Sequence, residues 1–162
     1  MKITILSVGK MKERYFADAA AEYLHRISNY GEIAVTEIAD ESVKDKPSAS
    51  DIELAKNKEG ERIKQRLAHV TFHNACLVAL TPGGQQLSSE KLAAFMQTQA
   101  DNARRLVFII GGAHGLSNEI LNMCHTKLSF SQMTFPHRLF RVMLLEQLFR
   151  ACKINKNEPY HK

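Results

Sequence analysis

The chain of 162 residues is long enough to bury a substantial core, and its length indicates one domain spanning residues 1–162. Hydrophobic residues make up 44% and charged residues 24%, as in ordinary soluble proteins. No apolar run approaches the roughly 20 residues of a membrane span, so no membrane partner is expected. The widely spaced cysteines lack zinc-ligand spacing, which argues against a disulfide framework and a metal site and favours a reducing cytoplasm; they are Cys76, Cys124 and Cys152.

The charge balance is basic, with a formal net charge of +5 and a pI of about 9.2. Such a balance fits a polyanionic partner such as RNA. Because the chain has no arginine-rich tract and no zinc-finger spacing, any RNA recognition is expected to come from a folded surface.

Strand and helix patterns alternate along the first half of the chain. Alternating β-branched residues predict strands, and apolar residues recurring every three or four positions predict a helix; these segments are Lys2–Val8 (strand), Lys12–Ile27 (helix) and Glu32–Ala39 (strand). Ser50 and Glu53 have the spacing of a capping box, so we predict a surface helix that begins at Ser50.

The second half contains continuous apolar runs, which are typical of central parallel strands covered on both faces. The predicted elements are a strand at Ala75–Leu80, a turn at Thr81–Gly84, a helix capped by Ser88 or Ser89, a strand at Arg105–Ile110, a short helix capped by Ser117, and a strand at Lys127–Phe130. The alternation of strands and helices predicts the α/β class, with a mainly parallel sheet and helices on both faces.

The last helix is unusual in its polarity. Pro136 is suited to its first turn, because proline fixes φ near the helical value. Apolar residues then cover most of the circumference, whereas a surface helix keeps one polar stripe. This pattern indicates packing both on the sheet and on a partner; the alternative is an ordinary core helix with solvated arginines.

Three loops that follow predicted strands have unusual composition, and in open α/β sheets ligands bind at the carboxyl ends of the strands. They begin after Leu80, Ile110 and Phe130. Glycine at such an exit allows the backbone to approach a ligand closely. The sequence GGAHG at 111–115 matches neither the GxGxxG fingerprint nor a Walker loop, so taken alone it also fits a simple tight turn.

Two further features bear on chemistry. His137 beside the last loop could be a general base or a structural histidine. The terminal Tyr160, His161 and Lys162 could stack on a base, accept a proton and pair with a phosphate, although most chain termini fray.

Several segments together resemble the bacterial RlmH family, which comprises small methyltransferases of the SPOUT class that act on large-subunit ribosomal RNA. The matching segments are MKITILSVGK at the start, LSSE at 87–90, VFIIGGAHG at 107–115, LSFSQMTFPHRLFRVMLLEQLFRA at 128–151 and EPYHK at the end. The resemblance implies a C-terminal trefoil knot, a homodimer, the cofactor S-adenosylmethionine, and methylation of N3 of a pseudouridine on the assembled ribosome.

The resemblance also implies a cofactor site on the same three loops. Its residues in this sequence are Leu80, Gly111, Phe130, Ser131, Gln132, Met133, Thr134 and Phe135.

For the chemical step we hypothesise that His161 acts as base or orienter and that Tyr160 provides a stacking platform. Arg141 is a candidate for contact with the developing anion, and Arg138 and Lys162 are candidates for RNA phosphate contact. Other functions remain open at this point: a SPOUT methyltransferase acting on tRNA, a non-catalytic nucleotide-binding α/β module, or a conventional open-sheet methyltransferase acting on a small molecule or protein.

Overall fold

Strands and helices alternate through the whole fold. A computed structural model of the protein describes residues 1–69 and 74–161. Among the helices in those two ranges, none combines the length and apolar character needed to cross a membrane. The elements are β1 (Lys2–Val8), α1 (Arg14–Ser28), β2 (Glu32–Ile38), α2 (Ala49–His69), β3 (Ala75–Gln86), α3 (Ser89–Asp101), β4 (Arg105–Ile110), α4 (Asn118–Met123), β5 (Thr126–Ser129) and α5 (His137–Asn155).

The strands form one five-stranded sheet with the order β2-β1-β4-β3-β5, and every neighbouring pair is parallel. Successive strand residues point to opposite faces, so Ile3 and Ile5 pack with α1, α3 and α5, whereas Leu6 and Val8 pack with α2 and α4. The predicted parallel sheet with helices on both faces is therefore confirmed. The C-terminal trefoil knot stays a prediction of the family resemblance.

Helix α5 lies between α1 and α3, where Leu144, Leu145 and Leu148 are fully buried. Phe140 and Met143 of the same helix are only half-buried. The predicted packing of α5 on the sheet is confirmed, and its packing on a partner stays a prediction.

The start of α2 differs from the prediction. Ser48, not Ser50, forms the reciprocal cap: its Oγ accepts a hydrogen bond from the Asp51 N–H at 3.1 Å, and its N–H donates to Asp51 Oδ2 at 3.0 Å. Both serines stand three residues before an acidic residue, so spacing alone did not distinguish them.

The predicted turn at Thr81–Gly84 is also wrong, because β3 continues to Gln86. Leu80 and Gln85 both align with Leu128 of β5, so residues 81–84 form a bulge within the strand. A Cβ on Gly84 would lie 2.5 Å from the Leu128 carbonyl carbon, so this close approach requires glycine. The bulge places the backbone of Thr81 and Pro82 beside the end of β5.

We expect Leu144→Ala to lower the free energy of unfolding by about 2–5 kcal/mol, because it leaves a cavity at the centre of the α5 packing. Leu54→Ala is the matched control, since Leu54 is 56% exposed and its truncation should change stability by no more than about 0.5 kcal/mol. Urea denaturation followed by circular dichroism measures both, and equal losses in the two variants would contradict the assigned packing.

Candidate active site

The bulge of β3 and the exits of β4 and β5 converge on one cavity of about 530 Å³, within the size range of small-molecule sites. Most of its wall is apolar side chain and loop backbone. Its lining residues are Leu80, Thr81, Pro82, Ile110, Gly111, Gly112, Ala113, Gly115, Ser129, Phe130, Ser131, Met133, Thr134, Phe135, Pro136, His137 and Phe140. Within the described ranges, no group of acidic, histidine and cysteine side chains is placed to hold a metal ion.

The structure brings most of the predicted cofactor residues together. Seven line the cavity, namely Leu80, Gly111, Phe130, Ser131, Met133, Thr134 and Phe135. Gln132 is exposed and is not part of the lining. Serines shape this loop: Ser129 Oγ donates to the Ser131 carbonyl oxygen at 2.8 Å, and Ser131 Oγ accepts from the Met133 N–H at 3.0 Å.

The glycine loop folds back on itself at the exit of β4. The Gly115 N–H donates to the Gly112 carbonyl at 3.1 Å, and Gly115 has a φ of +80°, which favours glycine. A Cβ on Gly111 would lie 2.6 Å from the Gly115 carbonyl carbon. A side chain at Gly111 would therefore push the loop open and deform the cavity wall.

Glu59 of α2 supports this loop from behind, and sequence reasoning missed it. Its side chain is almost fully buried, and Oε1 accepts a hydrogen bond from the Glu41 N–H at 2.9 Å. A Cβ on Gly112 would lie only 2.9 Å from Glu59 Oε2. Burial raises the pKa of the Glu59 carboxyl. The sequence feature that could have indicated this close packing is Gly60, because a glycine at this position of α2 allows the helix to approach Ser117 closely.

His137 is the one titratable side chain in the lining of this cavity. Its Nε2 is buried beside Gly9 and has no hydrogen-bond partner among the described residues. Burial lowers the His137 pKa, and the positive charges of Arg138 and Arg141 lower it further. The ring is therefore neutral at physiological pH, and it can hydrogen-bond without carrying charge.

Arg141 does not line the cavity. Its guanidinium is buried and donates to Ser7 Oγ at 2.9 Å, to the Gly9 carbonyl at 2.9 Å and to Glu37 Oε1 at 2.7 Å. These bonds tie α5 to the ends of β1 and β2. Burial acts to raise the Glu37 pKa, but hydrogen bonds from Arg141 and from the Met11 N–H outweigh it, so the net shift is downward. The geometry thus gives Arg141 an anchoring role, and its predicted catalytic role stays a prediction.

Comparison with known proteins identifies the family. The family model described as "Predicted SPOUT methyltransferase" matches residues 1–161. The chain belongs to the SPOUT methyltransferase family.

Relatives within this SPOUT family are similar along their whole length. A protein of Carboxydothermus hydrogenoformans is 46% identical over 100% of both chains, and one of Pelotomaculum thermopropionicum is 48% identical over 98% of each. Both carry the name ribosomal RNA large subunit methyltransferase H, so the resemblance noted from the motifs is confirmed. A probable methylase family protein of Haemophilus influenzae Rd KW20 shares the fold, with a TM-score of 0.55 at 10% identity, over 99% of this chain and 70% of that chain.

The C-terminal tail of this SPOUT protein packs against its own helices and does not line the cavity. Tyr160 donates to Glu146 Oε1 at 3.1 Å and stacks edge-on against Phe149, with 4.9 Å between ring centroids. His161 Nε2 lies 2.6 Å from Glu90 Oε1. Burial, together with Tyr23 and Glu146, raises the pKa of Tyr160 to about 12. Neither Tyr160 nor His161 lines the cavity, and their catalytic roles stay predictions.

Only one of the two candidate RNA-binding residues lies within the described part of the chain. Arg138 is half-buried and forms an ion pair with Glu13. Lys162 lies outside the described residues, so its predicted phosphate contact remains a prediction.

Glu59→Gln should make the protein more stable than the parent at neutral pH. The folded-state pKa of Glu59 is raised, so its buried charge destabilises the fold at neutral pH, and this loss fades as pH falls through the raised pKa. The glutamine keeps an acceptor for the Glu41 N–H. We therefore expect the difference in unfolding free energy between Glu59→Gln and the parent to narrow as the pH falls from neutral towards about 4, the pKa of an unperturbed glutamate.

Unfolding by urea at several pH values measures this gap. Glu53→Gln is the control on the same helix, because Glu53 is half exposed and pairs with Lys56. The role assigned to Glu59 would be contradicted if the difference in unfolding free energy between Glu59→Gln and the parent widened on acidification. An equal change with pH in the Glu53→Gln control would also contradict it.

Proposed function

We propose that this protein transfers a methyl group from S-adenosylmethionine to N3 of a pseudouridine in large-subunit ribosomal RNA. The reaction takes place on the assembled ribosome in the cytoplasm, and the active enzyme is a homodimer. The observation that carries the proposal is the convergence of the β3 bulge and the exits of β4 and β5 on one cavity in a chain of the SPOUT family. The names of the relatives support ribosomal RNA as the substrate.

The cavity suits the cofactor chemically. Leu80, Ile110 and Phe130 offer apolar surface to an adenine ring and to thioether carbons. The backbone groups of the loops at 111–115 and 130–135 can hydrogen-bond the polar edges of the base and ribose. When bound, S-adenosylmethionine supplies an electrophilic methyl group on a sulfonium.

The protein must orient the uracil-type ring and accept its N3 proton, because proximity supplies much of the rate and the imide is a weak acid. Tyr160 remains protonated at neutral pH, since its pKa is raised to about 12, so it serves as a stacking surface and hydrogen-bond donor. His161 is our candidate proton acceptor. The tail lies away from the cavity of its own subunit, which supports action on the cavity of the partner.

The surface of α5 supports the homodimer. Met143 is half-buried and lines a second cavity of about 390 Å³. Leu87, Leu92 and Gln147 are further members of its lining. A second copy of the chain would cover this mixed apolar and polar surface and bring its tail towards the first cavity.

We expect tritium from labelled S-adenosylmethionine to enter large-subunit rRNA when the protein acts on ribosomes that lack the modification, with little transfer to protein-free rRNA.

Gly111→Ala should reduce affinity for the cofactor at least roughly tenfold, because the added Cβ collides with Gly115. Gly83→Ala is the control, since a Cβ there meets nothing within 4 Å. In the tritium assay, transfer of the label to tRNA instead of rRNA would favour the alternative substrate. Failure of the unsubstituted protein to bind S-adenosylmethionine would overturn the proposal.

Deletion of residues 160–162 should abolish methylation and leave cofactor affinity unchanged, because the tail supplies substrate-side groups only. Retained methylation would rule out a catalytic tail. A mixture then separates the two arrangements: tail-deleted subunits are combined with Gly111→Ala subunits. Mixed dimers recover activity only if the tail acts on the partner, since the intact cavity and the intact tail then belong to different chains.

A further inference from the structure

The segment that joins β1 to α1 borders the cavity; together with the first two residues of α1 it forms residues 9–15, which we call the β1–α1 lip. Alternate residues hold it on the protein. The Gly9 carbonyl accepts from Arg141 at 2.9 Å, the Met11 N–H donates to Glu37 at 2.9 Å, and Glu13 pairs with Arg138. The lip therefore has a fixed inner side, anchored to the buried network at the ends of β1 and β2.

Two exposed cations, Lys10 and Lys12, lie between these anchors, and a third, Arg14, directly follows Glu13. Within the described part of the chain, neither lysine of the lip forms an ion pair. Arg14 lies 3.7 Å from Asp18, but both side chains are largely solvated, so this pair is weak. The only acid of the lip, Glu13, is on the inner side and is neutralised, which leaves a purely cationic outer side.

An aromatic ring ends this cationic row. Tyr15 is 66% exposed, and within the described residues its ring pairs only with the adjacent Phe16, at 4.4 Å between centroids. The core does not need Tyr15, because the buried residues of α1 are Ala20 and Ile27. An exposed tyrosine beside three cations has the composition of a surface that binds single-stranded nucleic acid.

The lip and the end of β1 both approach the cavity wall. A Cβ on Gly9, the first residue of the lip, would lie 2.9 Å from His137 Nε2, and a Cβ on Gly112 would lie 3.1 Å from Cγ1 of Val8, the residue before the lip. His137 and Gly112 both line the cavity. A strand of RNA that delivers a base to the cavity from this side therefore passes over the lip.

We propose that the β1–α1 lip binds the RNA strand next to the target nucleotide, with Lys10, Lys12 and Arg14 on its phosphates and Tyr15 stacked on an unpaired base. The proposal rests on the proposed function. Sequence-specific recognition of RNA targets unpaired loops whose bases stack on aromatic rings, and phosphate contacts supply the salt-dependent affinity. The lip offers both kinds of contact within one short segment.

Charge removal tests the phosphate contacts. In Lys10→Gln/Lys12→Gln, the slope of log affinity for large ribosomal subunits against log salt concentration should fall by about 1 to 2, as expected for two lost phosphate contacts. KM for ribosomes should rise, whereas kcat at saturation and the Kd for S-adenosylmethionine should stay the same. Lys2→Gln is the control, because Lys2 is exposed at the opposite end of β1.

Substitution of Tyr15 tests stacking. Tyr15→Ala should weaken binding to large subunits by roughly 5- to 150-fold, and Tyr15→Phe should restore it, because stacking needs the ring and not the hydroxyl. Leu54→Ala removes an equally exposed apolar side chain from α2 and should have no effect. Light scattering checks the oligomeric state of each variant.

The possible results separate this proposal from the proposed function. Binding to ribosomes is measured without methyl transfer. A wild-type protein that binds ribosomes but does not methylate them would therefore contradict the proposed reaction, while the binding role of the lip could still be tested. Three results would contradict the RNA-binding role of the lip. These are an unchanged salt slope in the double lysine variant, an effect of Lys2→Gln as large as that of the double variant, or no loss of binding affinity in Tyr15→Ala. A change of dimer mass in Tyr15→Ala also overturns it, because Tyr15 would then belong to a subunit interface.

Discussion

The buried guanidinium of Arg141 is the interaction on which the functional end of the molecule depends. It joins the first turns of α5 to Ser7, Gly9 and Glu37 at the ends of β1 and β2. Removing one partner of a buried, hydrogen-bonded charge typically costs about 3–5 kcal/mol, because the other groups remain without partners. The same bonds position His137, one turn earlier on α5, and the start of the β1–α1 lip. The cavity wall and the surface beside it therefore share one support.

The lining of the cavity contains few groups that could take part directly in a chemical step. Its wall consists of apolar side chains and backbone, and the one titratable side chain in its lining, His137, is kept neutral by burial and by neighbouring arginines. Such a site can hold and orient a methyl donor, but it offers no strong base of its own. Under the proposed function, the proton acceptor and the RNA contacts come from the tail of a second copy and from the lip. Activity would then depend on assembly of two chains around the substrate.

Much of this arrangement could be predicted from the sequence, because local patterns determine it. Alternation and continuous apolar runs located the strands, and parallel strands necessarily bring their carboxyl ends to one edge of the sheet. The errors have long-range causes. The bulge at residues 81–84 depends on pairing with β5, some forty residues later in the chain. The sequence also did not indicate the burial of Glu59 or the anchoring contacts of Arg141, because burial of a charged residue depends on partners that are distant in sequence.

The order of the strands has a consequence for how the protein is made. β1 is hydrogen-bonded to β4, so β1 leaves the ribosome well before its partner, which begins at Arg105. Contacts between such distant segments slow folding, because a long loop must close before the pairing stabilises it. The cavity walls at 129–140 are synthesised later still. A growing chain consequently has no complete pocket until the start of α5 has emerged.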